Sequence, residues 1–129
     1  MPDARQNWFY GFLDLCLLAL LRGGPDYGLS LTQRLVAAGV DEVPGGTLYP
    51  ALLRLERQGL LASDSVASTS GPRRKYYELT PAGLRQLEQL VTQWHGFRAT
   101  LDGVTRAAHP AEAGPTDSLT AVRRPERDR

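Results

Sequence analysis

The chain has 129 residues, 42% of them hydrophobic, with 15 basic and 14 acidic side chains, a length that suits one compact domain with a short appendage. A second catalytic domain has no room, and a formal charge of +1 lacks the excess expected of a generic polyanion binder. Cys16 is the only cysteine, which excludes an internal disulfide framework and any multi-cysteine zinc site.

Residues 8–22 read as a first helix, closed by Gly23-Gly24-Pro25. Apart from Asp14 it is apolar all round, so burying one face is not enough, and the rest of the domain or a second subunit must cover its far side. Its apolar run, 12–21, is about half a membrane span. Asp3 and Arg5 precede it and no small-residue cleavage site follows, so a cytoplasmic protein without a membrane partner is expected. Within that run Cys16 reads as an inert buried thiol.

Asp26 is a candidate N-cap for a second helix over 27–38, with Leu31, Leu35 and Ala38 on one stripe and Gly39 as the stop. A third helix is expected over 47–58, where Leu48, Leu52 and Leu55 form the core face, Pro50 falls in or just past the first turn, and Gly59 follows the end. Three short helices with tight glycine-containing connections are the ingredients of a helix-turn-helix. Residues 60–66 and 73–79 can pair as a hairpin around a polar loop, with Tyr77 and Leu79 on one face and Tyr76 and Glu78 on the other. Thr80 as N-cap and Pro81 at the first helical position open a fourth helix to about residue 104. Its stripe of Leu84, Leu87, Val91, Trp94 and Leu101, widened by Leu90 and Phe97, is too apolar for a helix lying alone and predicts an intersubunit seam. Residues 107–129, rich in proline and balanced in charge, are expected to be a disordered tail. The fold class is thus mostly α with a small β-hairpin: a winged helix-turn-helix over 8–79 and a C-terminal dimerisation helix over 80–106.

The run Gly46-Thr-Leu-Tyr-Pro-Ala-Leu-Leu-Arg-Leu-Glu-Arg-Gln-Gly-Leu60, followed by Gly71-Pro-Arg-Arg-Lys-Tyr-Tyr-Glu-Leu-Thr80, resembles the PadR family of winged-helix transcriptional regulators. Tyr27-Gly28 and Thr80-Pro81-Ala82-Gly83 also match, and the resemblance covers residues 8–104 in order. A single C-terminal helix is similar to the short subfamily. The resemblance implies a homodimeric DNA-binding repressor in which the last helix crosses that of its partner and the first helix adds to the interface. It also implies that a flat hydrophobic effector can sit between aromatic side chains there.

The charge distribution points the same way. Residues 44–77 hold five bases against two acids, whereas 1–43 hold three against five and the remainder is balanced. On the third helix Thr47, Tyr49, Arg54 and Arg57 lie off the leucine stripe and are available to a major groove about 12 Å wide, where arginine can read guanine O6 and N7. Arg54 and Arg57 can equally bracket Glu56 on a solvated face; the resemblance favours DNA for Arg54 and Tyr49 and leaves Arg57 open. Arg73, Arg74 and Lys75 follow a Gly-Pro turn at the expected wing tip with Tyr76 beside them, a placement suited to phosphates. The second helix can offer backbone N–H groups near Tyr27 and Gly28 to an anion, although Tyr27 also fits a core position at the helix end. Lys75 is the only lysine, and the arginine excess fits phosphate recognition or codon usage alike.

For the dimer interface the expected residues are Phe12, Leu87, Leu90, Val91, Trp94, Phe97 and Leu101, with Trp8, Trp94 and Phe97 as candidates for holding an effector. Trp8, Phe9, Tyr10, Phe12, Trp94 and Phe97 fit a plain packed dimer core as well as a ligand pocket. His95 and His109 have no companions at metal-ligand spacing, and no glycine-rich phosphate loop or nucleophile-base pairing occurs, so neither an enzyme nor a metal or cofactor is expected. The partners expected are a roughly palindromic DNA duplex, a second copy of the chain and a small effector. A protein-docking winged helix and a DNA-binding regulator without a ligand are the alternatives.

Overall fold

A computed structural model describes residues 12–107. In chain order the elements are α1 (Leu13–Leu21), β1 (Asp26–Tyr27), α2 (Gly28–Ala37), α3 (Gly45–Arg57), β2 (Leu61–Val66), β3 (Arg74–Leu79) and α4 (Pro81–Ala107). The three strands form one antiparallel sheet in the order β1-β3-β2, and with the helices they make a winged helix. The expected start of the first helix at residue 8 and the tail beyond residue 107 lie outside the described residues.

The all-round apolar α1 is wrapped by α2, α3 and β3. Leu13, Leu17, Leu18 and Leu21 are buried, and Leu15, Cys16 and Leu20 pack half-buried against the same core. Burial pushes the Cys16 thiol above its ordinary pKa, as suits an inert core sulfur. Among the described residues no helix is long and apolar enough to cross a membrane.

The helix boundaries differ from expectation for identifiable reasons. Asp26 is not the N-cap of α2, because it belongs to β1, and extended Tyr27 takes that position. Its carboxylate instead accepts from the Tyr27 N–H at 2.9 Å, Ser30 Oγ at 2.9 Å and Arg34 Nη1 at 2.8 Å. Desolvation opposes ionisation, yet the hydrogen bonds from Arg34, Tyr27 and Ser30 hold Asp26 below the usual carboxylate range. Ala38, expected on the core stripe, is the exposed C-cap of α2. α3 begins two residues early because Pro44, extended at ψ 148°, offers its carbonyl to the Thr47 and Leu48 N–H groups. Pro50 therefore sits deeper in the helix than expected. The end of α3 does follow the glycine signal: Gly59 has φ 78°, its N–H donates to Glu56 O, and Leu60 N–H donates to Leu55 O.

β2 and β3 pair from Leu61↔Leu79 to Val66↔Arg74, which buries Leu61 and Tyr77. Thr80 then fastens α4 to this framework. Its Oγ1 accepts from Gly83 N–H at 2.9 Å and donates to Gly59 O at 2.7 Å, while its own N–H donates to Leu60 O at 3.1 Å. Gly83 has to be glycine, since a Cβ there would lie 2.1 Å from the Leu60 carbonyl oxygen.

Leu87, expected at a subunit seam, is instead fully buried in the chain's own core. Leu90 and Val91 are half-buried against that core. The chain divides into two compact units between Val91 and Thr92, so the first part of α4 belongs to the winged-helix body.

Candidate nucleic-acid interface

The N-terminus of α2, the first turns of α3 and the base of the wing enclose a cleft of about 310 Å³. It is lined by Tyr27, Gly28, Tyr49, Arg73, Arg74 and Lys75, together with Leu29 and Tyr77. The first six, distant in sequence and each expected to contact DNA, thus converge in one place.

Tyr49 is the hinge of this arrangement. Its ring lies over Gly28, where a Cβ would come within 2.4 Å of Cε1 and 2.7 Å of Oη, and it also passes 3.5 Å from the corresponding point on Gly45. Gly28 therefore serves the close approach of a tyrosine from the next helix. Half the tyrosine remains exposed, so its hydroxyl can still donate outward.

The wing cations are oriented by specific partners. The Arg74 guanidinium stands 4.4 Å over the Tyr27 ring, and Tyr27 packs edge-on against Tyr76 at 5.2 Å. Arg73 Nη2 donates to the Ser65 carbonyl at 2.6 Å across the hairpin. Lys75 lies 5.3 Å from the Tyr77 ring centroid and 3.4 Å from Glu56 Oε1. That Glu56 oxygen is buried and has the ion pair, rather than an aligned hydrogen bond, as its partner. The other, Oε2, accepts from Ser63 Oγ. The Ser63 hydroxyl, with Lys75 and Arg57 adding to it against the opposing desolvation, holds the Glu56 carboxyl below its ordinary pKa. For Lys75, partial desolvation is outweighed by the Tyr77 and Glu56 oxygens, which raise its pKa. Glu56 thereby ties α3 to both strands of the wing, a link that no local spacing announces.

The remaining expected contacts divide. Thr47 is half-buried in the first turn of α3, and Tyr76 packs behind Tyr27. The Tyr27 N–H, expected to serve an anion, is already taken by Asp26. Arg54 pairs through Nη2 with Asp14 Oδ1 of α1 and so leans toward that helix. Arg57 is exposed at the end of α3. Arg54, expected to contact DNA ahead of Arg57, thus has a carboxylate partner in the chain while remaining half exposed.

On α4, Trp94 is half-buried and meets Phe97 with ring centroids 6.5 Å apart. Phe97, Leu101 and Val104 are 52%, 47% and 61% exposed, an apolar stripe at helical spacing. Phe12 is half-buried at the N-cap position of α1, and Trp8 lies outside the described residues. Among the described residues no group of three or more His, Cys, Asp or Glu side chains could hold a metal ion.

Residues 17–89 match the Transcriptional regulator PadR-like family, a span that runs from the middle of α1 through the part of α4 that joins the body. The transcriptional regulator Rv3488 of Mycobacterium tuberculosis is 44% identical over 84 residues, covering 60% of this chain and 77% of the relative. A PadR-like transcription factor from Bacteroides fragilis is similar in structure with a TM-score of 0.66 at 36% identity, over 80% of this chain and 99% of that one. A PadR family transcriptional regulator from Eggerthella lenta gives 0.65 at 41% identity, over 76% and 82%. The length and continuity of the family match make this chain a member of the PadR-like family of transcriptional regulators, and not an enzyme.

Proposed function

We propose that the protein is a homodimeric, sequence-specific DNA-binding repressor that a small hydrophobic effector releases from its operator. The observation that carries this reading is the convergence of Tyr49, the α2 N-terminus and the three wing cations on one cleft beside the exposed side of α3. In this arrangement α3 enters the major groove while Arg73, Arg74 and Lys75 hold the flanking phosphates. Phosphate contacts fix orientation and base contacts from α3 supply sequence preference.

Dimerisation assigns a partner to the exposed stripe of Phe97, Leu101 and Val104. Residues 8–79 are then the DNA-binding part and 80–106 the dimerisation helix, although its first turns also complete the body. Two copies of α3 would meet a roughly palindromic operator with half-site centres about 10 bp apart, or a multiple of that. Trp94 and Phe97, with Trp8, are the aromatic surfaces against which a planar effector would stack. Release requires that the effector bind better to a dimer whose α3 spacing no longer fits the grooves.

The test is selection of bound fragments from a genomic library with the full chain, followed by anisotropy titration of the enriched duplexes. Enrichment of a palindromic site, with dimer-sized complexes, is the expected result. Retention of DNA without sequence preference, or of none, contradicts the reading and leaves the wing cations for an acidic protein partner. Quenching of Trp94 by planar hydrophobic compounds in a Trp8→Phe background, with loss of operator binding, tests the effector.

A further inference from the structure

Around α3 the residues sort into a buried side and an exposed stripe. Leu48, Ala51, Leu52 and Leu55 are buried, while Gly46, Pro50, Leu53 and Arg57, spaced by four, three and four, are all exposed on the opposite side. This stripe carries a single charge. Arg54 lies to one flank, paired with Asp14, and Tyr49 to the other, against Gly28.

Two features of the stripe have no explanation among the described residues. Leu53 is 38% exposed at the middle of a helix whose other leucines are covered. Gly46 lies in the first turn without a positive φ, and a Cβ placed on it would meet no atom within 4 Å. Glycine there sacrifices helix propensity for no internal contact, as happens where a foreign surface must approach the backbone closely. Basic side chains line the adjacent cleft, so the surface that complements this face is a polyanion carrying some apolar groups. The floor of a DNA major groove has that character, with the thymine C5-methyl as its apolar group.

Resting on the DNA-binding reading above, we infer that Leu53 is a specificity-determining residue that packs on a thymine methyl in each half-site. Arg57 reads guanine O6 and N7 one turn further along, and Gly46 lets the start of α3 press against the groove. Arg54, paired with Asp14 on the flank, lies off this stripe and is assigned no base here.

The experiment uses sites selected by the full chain from a pool of random duplexes, with each thymine replaced singly by uracil in both half-sites. Uracil lacks only the methyl group. At one half-site position the replacement should weaken wild-type binding by about fourfold per half-site, the worth of one buried carbon. Leu53→Ala, a change on an exposed helical position, should fold normally and be indifferent to that same replacement. Gly46→Ala should keep or raise the melting temperature while weakening operator binding at least about tenfold. The inference is overturned if no uracil position matters to the wild type, if Leu53→Ala keeps the penalty, or if Gly46→Ala binds as well as the wild type. Failure to enrich any duplex would overturn the DNA-binding reading itself, a distinguishable result.

Discussion

Leu17, Leu31, Leu52 and Leu87 in the winged-helix body are fully covered by the chain's own side chains, whereas Phe97, Leu101 and Val104 on the far part of α4 keep between 47% and 61% of their surface open. The body covers its core within one chain, the apolar-all-round α1 included, and leaves only single apolar side chains such as Leu29, Val36 and Leu53 open at its surface. The far part of α4 does not. An apolar stripe at helical spacing that the described residues leave open suits a helix that packs on another. In the dimer proposed above, folding and assembly are therefore separable, and each can be broken alone.

The largest effect is expected from the body. Leu87→Ala empties a fully buried position where α4 joins the core, and should cost about 2–5 kcal/mol of stability, read as a lower urea midpoint. A loss well below that range would mean that Leu87 faces a partner rather than its own core. The combined change Phe97→Glu and Leu101→Glu should do the opposite. The body should melt as before while sedimentation shows monomers, and operator affinity should fall by roughly 100-fold or more as the two half-sites lose their linkage. Unfolding of the body by these exposed substitutions would show the two regions to be one.

Within the body the two arginines of α3 give the next contrast. Arg57→Ala should cost about 1–3 kcal/mol of operator affinity and relax preference at one base pair. Arg54→Ala removes an exposed ion pair to Asp14, so stability should shift by about 0–1 kcal/mol and base preference should not change. A selection experiment on each variant separates the two, and a relaxed base preference in Arg54→Ala would reverse their assignment.

The smallest effect concerns the wing. The Glu56 carboxyl has a lowered pKa in the folded state, so its contribution to stability is fully present above the unfolded value of about 4.3 and is lost as pH falls through the lower folded value. Asp26 acts in the same direction. Lys75 has the opposite sign: its contribution is present below the unfolded value of about 10.4 and is lost as pH rises through the higher folded one. Stability from the Glu56–Lys75 link should thus be flat between about pH 6 and 9 and decline in acid. Glu56→Gln should flatten part of that acid decline, measured by thermal melting from neutral pH downward; an unchanged acid limb would mean that the link adds nothing.

What the sequence reveals follows the range of the interactions involved. The leucine stripe of α3, the Gly59 stop and the Thr80 cap are local patterns with fixed spacing, and all three appear in the fold. β1 is two residues long, too short to show any alternation, and exists because Asp26 and Tyr27 pair with Tyr77 and Tyr76 some fifty positions later. Asp26 reads as a cap for the same reason, since its neighbours in sequence suggest a helix start and its partner strand is remote. The tie from Glu56 to Ser63 and Lys75, and the pairing of Arg54 with Asp14, likewise depend on which elements pack together. Spacing supplies the angle of Arg54 around α3 but not the carboxylate that waits there on α1. For Leu87, periodicity marks an apolar face without saying whether the same chain or a second copy covers it.

The stoichiometry and salt dependence of operator binding test the proposed dimeric regulator most directly. A labelled operator, obtained by selection, is titrated with the full chain at several salt concentrations, and anisotropy is followed alongside complex mass. With Arg73 and Arg74 of two wings each neutralising a phosphate, affinity should fall with salt at a logarithmic slope of about −3.6 or steeper. The complex should contain two chains per duplex. A single bound chain, or an affinity insensitive to salt and to operator sequence, would contradict it.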